Sequence, residues 1–353
     1  MEIQNAFQIQ WDKTPYPSFT EYFFGKISTH GSNLAIVDIE TGKQWRYSEI
    51  RNWCDMCSMR LKELQETVIT GTTGQAIFVH LACAIIGCTA VAVNGWSSVD
   101  EIWQIVDLSE STHLIVEAAF LQKADDVRRK ASMRGGGRIK HVRIIDDVLT
   151  TDAISNETKR RHLLVKEMSS AKITITSPDD VQPDALSPIS DASESKVENG
   201  TEDSCESPPD STTTAAEFAH RSLIINIQQM SLPLYGPVQP RERFLLPLSL
   251  SHIFGAMSAY YALVNGATTY MMAKVTSKTL VDNILTYNVN VSHMTPTMIM
   301  WLAMDSTMDH ANTNSLRSVI VSGAPIDANL ANQAKRKMNL KDLRQSMSID
   351  HFH

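Results

Sequence analysis

The chain has 353 residues, 43% of them hydrophobic, with 39 acidic against 32 basic side chains and a net charge of −7. That length can bury a sizeable core and is long for one compact domain, and the acidic balance argues against a role in nucleic-acid binding. No apolar run reaches the roughly 20 residues that cross a bilayer, and the opening MEIQNAFQIQWDKTPY puts acid and polar groups where a secretion signal needs an apolar core. The five cysteines are therefore expected as free thiols in a reduced, cytoplasmic compartment.

Residues 17–30 set Phe19, Tyr22, Phe23 and Ile27 at helical spacing. A strand (LAIVDIE), a turn at 41–43 and a second strand (QWRYS) follow. Ser48 is expected to cap the next helix, whose Ile50, Trp53, Met56, Cys57, Met59 and Leu61 form one apolar side. The stretch 68–94 reads as short strand, Gly/Thr turn, buried helix and buried strand. A helix over 98–107, a strand at 113–118, a helix over 118–132 and a strand at 141–146 repeat the step. Such alternation implies parallel βαβ units covered on both faces.

Two side signals have plain explanations. Cys54 and Cys57 form a C-x-x-C, but inside an amphipathic helix and without a second pair at zinc spacing, so buried thiols are expected. Arg128, Arg129, Lys130, Arg134, Arg138, Lys140 and Arg143 surround a Gly135–Gly137 run and read as a solvated loop, with a kinase acceptor at Ser132 or an anionic partner as the sharper alternatives.

The composition then changes. Between Asp179 and Asp210 stand ten acidic residues, one lysine and only four larger apolar residues. Such a stretch cannot offset its chain entropy by burial, so 165–214 is expected to be a disordered acidic insert or linker separating a first α/β part (1–150) from a second (215–350). The second part opens with an expected helix, AEFAHRSLIINIQQM. It continues through apolar strands and helices in which His252 and His293 stand where strand gives way to helix, and closes with a helix over 327–338 and a strand in LKDLRQSM. The methionines at 294, 298, 300 and 304 and Trp301 read as core.

Five segments carry a resemblance: ETGKQWRYSEI (40–50), GCTAVAVNGWSSVDEI (87–102), LPLSLSHIFG (246–255), YNVNVSHMTP (287–296) and LRSVIVSGAPI (316–326). Together they resemble the large N-terminal domain of the adenylate-forming superfamily, which includes acyl- and aryl-CoA synthetases, 4-coumarate–CoA ligase and firefly luciferase. The resemblance implies an α/β fold of layered, mostly parallel sheets with covering helices. It also implies ATP with Mg²⁺ and CoA as cofactors, a carboxylic acid as substrate, and a mobile C-terminal lid domain carrying a catalytic lysine, which this sequence is expected to lack. It places His252, Ile253, Phe254 and Gly255 on the acyl or aryl pocket, against the simpler reading of His252 as a packed helix-start residue. Nucleotide binding would fall to Thr212, Thr213 and Thr214 at the phosphate loop and to Ser322, Gly323, Ala324 and Pro325 along the adenine.

The departures gather on the nucleotide side. Where the family has a Gly-rich loop with a lysine, residues 207–219 read SPPDSTTTAAEFA, with three threonines but no glycine, no lysine, and Asp210 and Glu217 added. Without glycine a tight nest of backbone N–H groups around an anion is hard to form. The adenine segment is one small residue short, and Gln345–Asp350 (QSMSID) stands where the family places an aromatic, a glycine and a metal-binding acid. Gly71–Gly74 (GTTG) matches the loop's core but lies far too early, and a strand-to-helix turn accounts for it. No catalytic residue and no metal ligand is assigned. Two readings follow: a diverged acyl/aryl-CoA synthetase impaired in adenylation, or a non-catalytic protein that binds an acyl ligand or pairs with an active paralogue.

Overall fold

A computed structural model describes residues 18–61, 73–133, 139–145, 172–176, 215–306 and 313–346. Helix α1 (Phe19–Ile27) is capped by Ser18, whose hydroxyl accepts from the Glu21 N–H, and buries Phe19, Tyr22, Phe23 and Ile27. Strands β1 (Leu34–Asp38) and β2 (Gln44–Arg46) pair antiparallel around the turn at Gly42, where φ is +70° and glycine is favoured. Helix α2 (Tyr47–Leu61) starts one residue before the expected Ser48 cap. The Glu49 carboxylate accepts from the Arg46 N–H instead, which satisfies a donor at the helix entrance. The buried stripe of α2 is Ile50, Cys54, Cys57 and Leu61, while Trp53, Met56 and Met59 are half-buried.

Helix α3 (Gly74–Ile86) is apolar nearly all round and sits in the core; Gly74 at its start lies against Ile36 and Trp45, where a Cβ would approach Ile36 to 2.7 Å. Strand β3 (Ala90–Ala92), helix α4 (Val99–Leu108), strand β4 (His113–Val116), helix α5 (Leu121–Met133) and strand β5 (His141–Ile144) follow close to the expected positions. A capping box between Ser98 and Glu101 fixes the start of α4. The basic side chains of α5 are paired: Arg128 with Asp125, Arg129 with Asp126 and Lys130 with Asp100.

Two corrections concern the middle of the chain. Lys172–Thr176, inside the expected linker, forms strand β6, parallel to β3. Ala215–Ala219, expected as the first turn of a helix, forms strand β7 antiparallel to β6, and helix α6 (His220–Met230) begins only after it. The pairing runs from Lys172–Ala219 to Thr176–Ala215, so these ladder bonds, not the helix propensity of Ala and Glu, decide the local structure. The remainder of 165–214 lies outside the described residues.

Then come β8 (Arg243–Leu246), α7 (Ile253–Val264), β9 (Thr268–Met271), α8 (Ser277–Thr286), β10 (Val291–Met294), α9 (Pro296–Met304), β11 (Ser318–Val321), α10 (Ala328–Lys337) and β12 (Asp342–Gln345). The main sheet has the order β12-β11-β10-β8-β9-β1-β2, parallel except for β2. Strands from both ends of the sequence therefore share one sheet. The expected mostly parallel α/β architecture is what the chain adopts. A half-buried bidentate pair between Arg317 and Glu242, with Arg317 also donating to the Gly236 and Pro237 carbonyls, ties the start of β11 to the start of β8. Met294 is in the core, but Met300 and Met304 are exposed on the outer face of α9, which corrects their assignment to the core. Among the described residues no helix is long and apolar enough to cross a membrane.

Candidate functional site

The sheet order defines where a ligand crevice lies. From β8 the chain passes through α7 to β9 on one side, then through α8 to β10 on the other side of β8. Strand β8 is thus a topological switch point, and the crevice opens at the carboxyl ends of β8, β10 and β11. Three short segments border it: 247–255 after β8, Thr295–Pro296 after β10, and 322–326 after β11.

The segment after β8 is built by its serines and one glycine. Ser249 and Ser251 hydroxyls lie 2.7 Å apart, and the Ser249 carbonyl accepts from the His252 N–H. That carbonyl presses onto α7, where a Cβ on Gly255 would come within 2.0 Å of the Ser249 oxygen. Only glycine allows this approach. His252 is the N-cap of α7, its Nδ1 accepting from the Phe254 N–H at 3.1 Å. With Nδ1 an acceptor, the proton of the neutral ring sits on Nε2, which can serve as a donor. His252, Ile253 and Phe254 are half-buried and Gly255 is buried. The four expected substrate-side residues therefore stand together at the switch point, with Gly255 contributing backbone geometry.

Phe254 stacks on His293 of β10 at 5.6 Å between ring centroids, and Tyr261 stacks on the same imidazole at 5.6 Å. His293 Nδ1 lies 2.7 Å from Ser258 Oγ, and that hydroxyl donates to the Phe254 carbonyl. The serine proton is committed to the helix, so Nδ1–H donates to Oγ and the pair is not an activated nucleophile. Burial pushes the His293 pKa down to about 3, which keeps the ring neutral, and Nε2 has no partner among the described residues. His293 is a packing residue that braces Phe254.

The turn after β11 begins with buried Ser322, whose N–H donates to the Met294 carbonyl, and passes through Gly323 at φ +98°. Gly323, Ala324 and Pro325 are exposed at the crevice edge. This left-handed step needs glycine and leaves a small-residue surface beside the neighbouring strand end. Thr212, Thr213 and Thr214 lie outside the described residues. The described strands on either side of 177–214, β6 and β7, pair with each other, with Thr176 opposite Ala215. Of the Gln345–Asp350 segment, Gln345 ends β12 and the Ser346 N–H donates to the Val321 carbonyl; the rest lies outside the described residues. Among the described residues no group of three or more His, Cys, Asp or Glu side chains is placed to hold a metal ion. Cys54 and Cys57 are buried thiols, with burial pushing Cys57 up to about 12.

A parallel α/β sheet with a ligand crevice at its switch point is the frame of a small-molecule-binding enzyme fold. Comparison with known proteins narrows this. The AMP-binding enzyme family matches residues 23–346. The chain is 20% identical over 332 residues to 4-coumarate–CoA ligase 3 of Arabidopsis thaliana, covering 90% of this chain and 53% of that protein. It is 22% identical over 345 residues to 4-coumarate–CoA ligase 3 of Oryza sativa subsp. japonica, covering 94% and 54%. Among solved structures, the luciferase-like enzyme of the nonluminescent mealworm Zophobas morio superposes with a TM-score of 0.72 at 13% identity, over 98% of this chain and 74% of that one. The N-terminal domain of FACL13 from Mycobacterium tuberculosis superposes with a TM-score of 0.70 at 14% identity, over 94% and 76%. The chain belongs to the AMP-binding enzyme family. It spans about half the length of the curated relatives it matches.

Proposed function

We propose that the protein binds a carboxylic acid at the β8 switch point as a diverged acyl/aryl-CoA synthetase, and that its adenylation step is impaired. The observation that carries this reading is the contrast between the built wall after β8 and the sequence of residues 207–219. The segment from Ser249 to Gly255 keeps a close-packed wall with His252 at a helix N-terminus, where a neutral imidazole and the adjoining N–H groups suit a carboxylate. Residues 207–219, where the family has its phosphate loop, contain neither the glycines nor the lysine that would bind ATP phosphates. Loss of such charge-stabilising donors lowers turnover by about 100-fold or more.

The test uses purified protein with ATP, Mg²⁺ and a panel of aryl and alkyl carboxylates. Pyrophosphate release is expected about 100-fold or more below that of an intact relative assayed in parallel, while one class of carboxylate raises the melting temperature. His252→Asn retains a capping side chain and should keep the ligand-free melting temperature, but lose the carboxylate-induced rise. His252→Ala should lose about 0.5–2 kcal/mol through the missing cap as well. Pyrophosphate release at the relative's rate overturns the impairment, and indifference to every carboxylate overturns the binding.

A further inference from the structure

Helix α3 ends in a motif that sets two thiols against each other. Gly87 takes the left-handed conformation (φ +76°, ψ 20°), and the Cys88 N–H turns back to the Cys83 carbonyl at 2.9 Å. This is a Schellman arrangement, in which the side chains five residues apart meet across the helix end, usually as a hydrophobic contact. Here both are cysteines, so the motif brings the Cys83 and Cys88 side chains to the same side of the helix end. Their environments differ. Cys83 is fully buried in the main core, whereas Cys88 is half-exposed and packs at its edge. Cys54 and Cys57, on α2, are both buried.

We propose that Cys83 and Cys88 form a reversible disulfide across the C-terminal cap of α3, with Cys88 as the attacking thiol and Cys83 as the resolving one. A disulfide needs close Cα atoms and facing Cβ vectors; the closing hydrogen bond draws the two backbones together, and the cap motif is the one in which these two side chains meet. The oxidant is a small-molecule disulfide such as glutathione disulfide. Cys88 loses its proton to solvent and its thiolate attacks one sulfur of the oxidant. A bond forms from Cys88 Sγ to that sulfur, and glutathione thiolate leaves and takes up a proton. Cys83 then gives up its proton and attacks Cys88 Sγ, expelling the second glutathione, which is protonated in turn. Two protein thiols are oxidised to one disulfide and one glutathione disulfide is reduced to two thiols. The product locks the turn that joins α3 to β3.

The neighbouring Cys88 thiol, and after it burial, push the Cys83 thiol well above its ordinary range, so by itself it is a poor nucleophile toward external reagents. It needs no external reach here, because its target sulfur is adjacent. The pair therefore differs from four independent buried thiols in one measurable respect: accessible Cys88 should not persist as a mixed disulfide.

The native chain is incubated with glutathione disulfide, quenched with an alkylating agent and measured by intact mass and peptide mapping. The expected product has lost two hydrogens, carries a Cys83–Cys88 link, and returns to the starting mass with dithiothreitol. Cys88→Ser should abolish the product, Cys83→Ala should trap glutathione on Cys88, and joint replacement of Cys54, Cys57 and Cys205 by alanine should leave the link intact. A stable glutathione adduct on Cys88 of the unsubstituted protein overturns the proposal. So does a link that involves Cys54, Cys57 or Cys205. The first of these outcomes is read on the unsubstituted protein and needs no variant to fold.

Discussion

Two buried histidines give the protein a pH dependence that follows from desolvation alone. His80 on α3 and His293 on β10 are nearly or fully buried, and burial lowers their pKa values to about 4 and about 3. An unfolded imidazole titrates near 6.5. A base held neutral in the fold takes up its proton only on unfolding, so stability is full above about pH 6.5 and falls as pH drops toward the folded values. At pH 5 each histidine should cost about 2 kcal/mol relative to pH 8. Urea unfolding at the two pH values checks this, and His293→Gln should remove its own share of the drop; equal stability at both pH values would contradict the burial. The same residue marks what was and was not legible at this scale. A histidine in the apolar run VNVSHM points to packing. Its stacking between Phe254 and Tyr261, and its bond to Ser258 on α7, arise from chain segments about 35 residues apart, and no local pattern encodes them.

At the scale of elements, long periodic segments were legible and short ones in atypical surroundings were not. Helices α3 and α4 and the strands around them follow from apolar patterning and caps, and the motif around His252 located the switch-point wall. Strand β6 escaped because five residues, KITIT, border an acidic polar stretch whose composition dominates any window. Strand β7 escaped because Ala and Glu favour helix until β6 supplies a hydrogen-bonding partner. The pairing supports a prediction about the span between them. Replacing 179–210 with a short Gly/Ser turn shortens the connection by about four-fold, two halvings at about 0.6 kcal/mol each. The shortened protein should therefore be more stable by about 1 kcal/mol in equilibrium urea unfolding. A loss of stability would mean that the removed residues contribute contacts that the β6–β7 ladder does not need.

For the molecule as a whole, the sequence suggests two α/β parts on either side of the acidic stretch, and the sheet order shows why they are not independent bodies. Strands β1 and β2 come from the first part, yet β1 lies against β9 with parallel pairing from Ile36–Thr269 to Asp38–Met271. The Tyr47 hydroxyl donates to the Ala267 carbonyl, and the Phe19 N–H donates to His220 Nδ1 across 201 positions. Glu40 accepts from the Ala273 and Lys274 N–H groups. Phe19, Phe23 and Tyr260 pack as one aromatic group in the core. Periodicity places Phe19 and Phe23 on a buried face but cannot say which distant face they meet. A polypeptide cut between β6 and β7 should consequently remain one particle, because the main sheet and the core both cross the cut. Limited proteolysis within 177–214, followed by size exclusion under native conditions, should give two fragments that co-elute at the volume of the uncut protein and separate only in denaturant. Neither fragment should fold alone, since each would expose the edge of the strand pair that the other completes. Co-elution fails if the two parts are separate domains joined by a linker. The same experiment thereby decides between a two-domain chain and a single interleaved sheet.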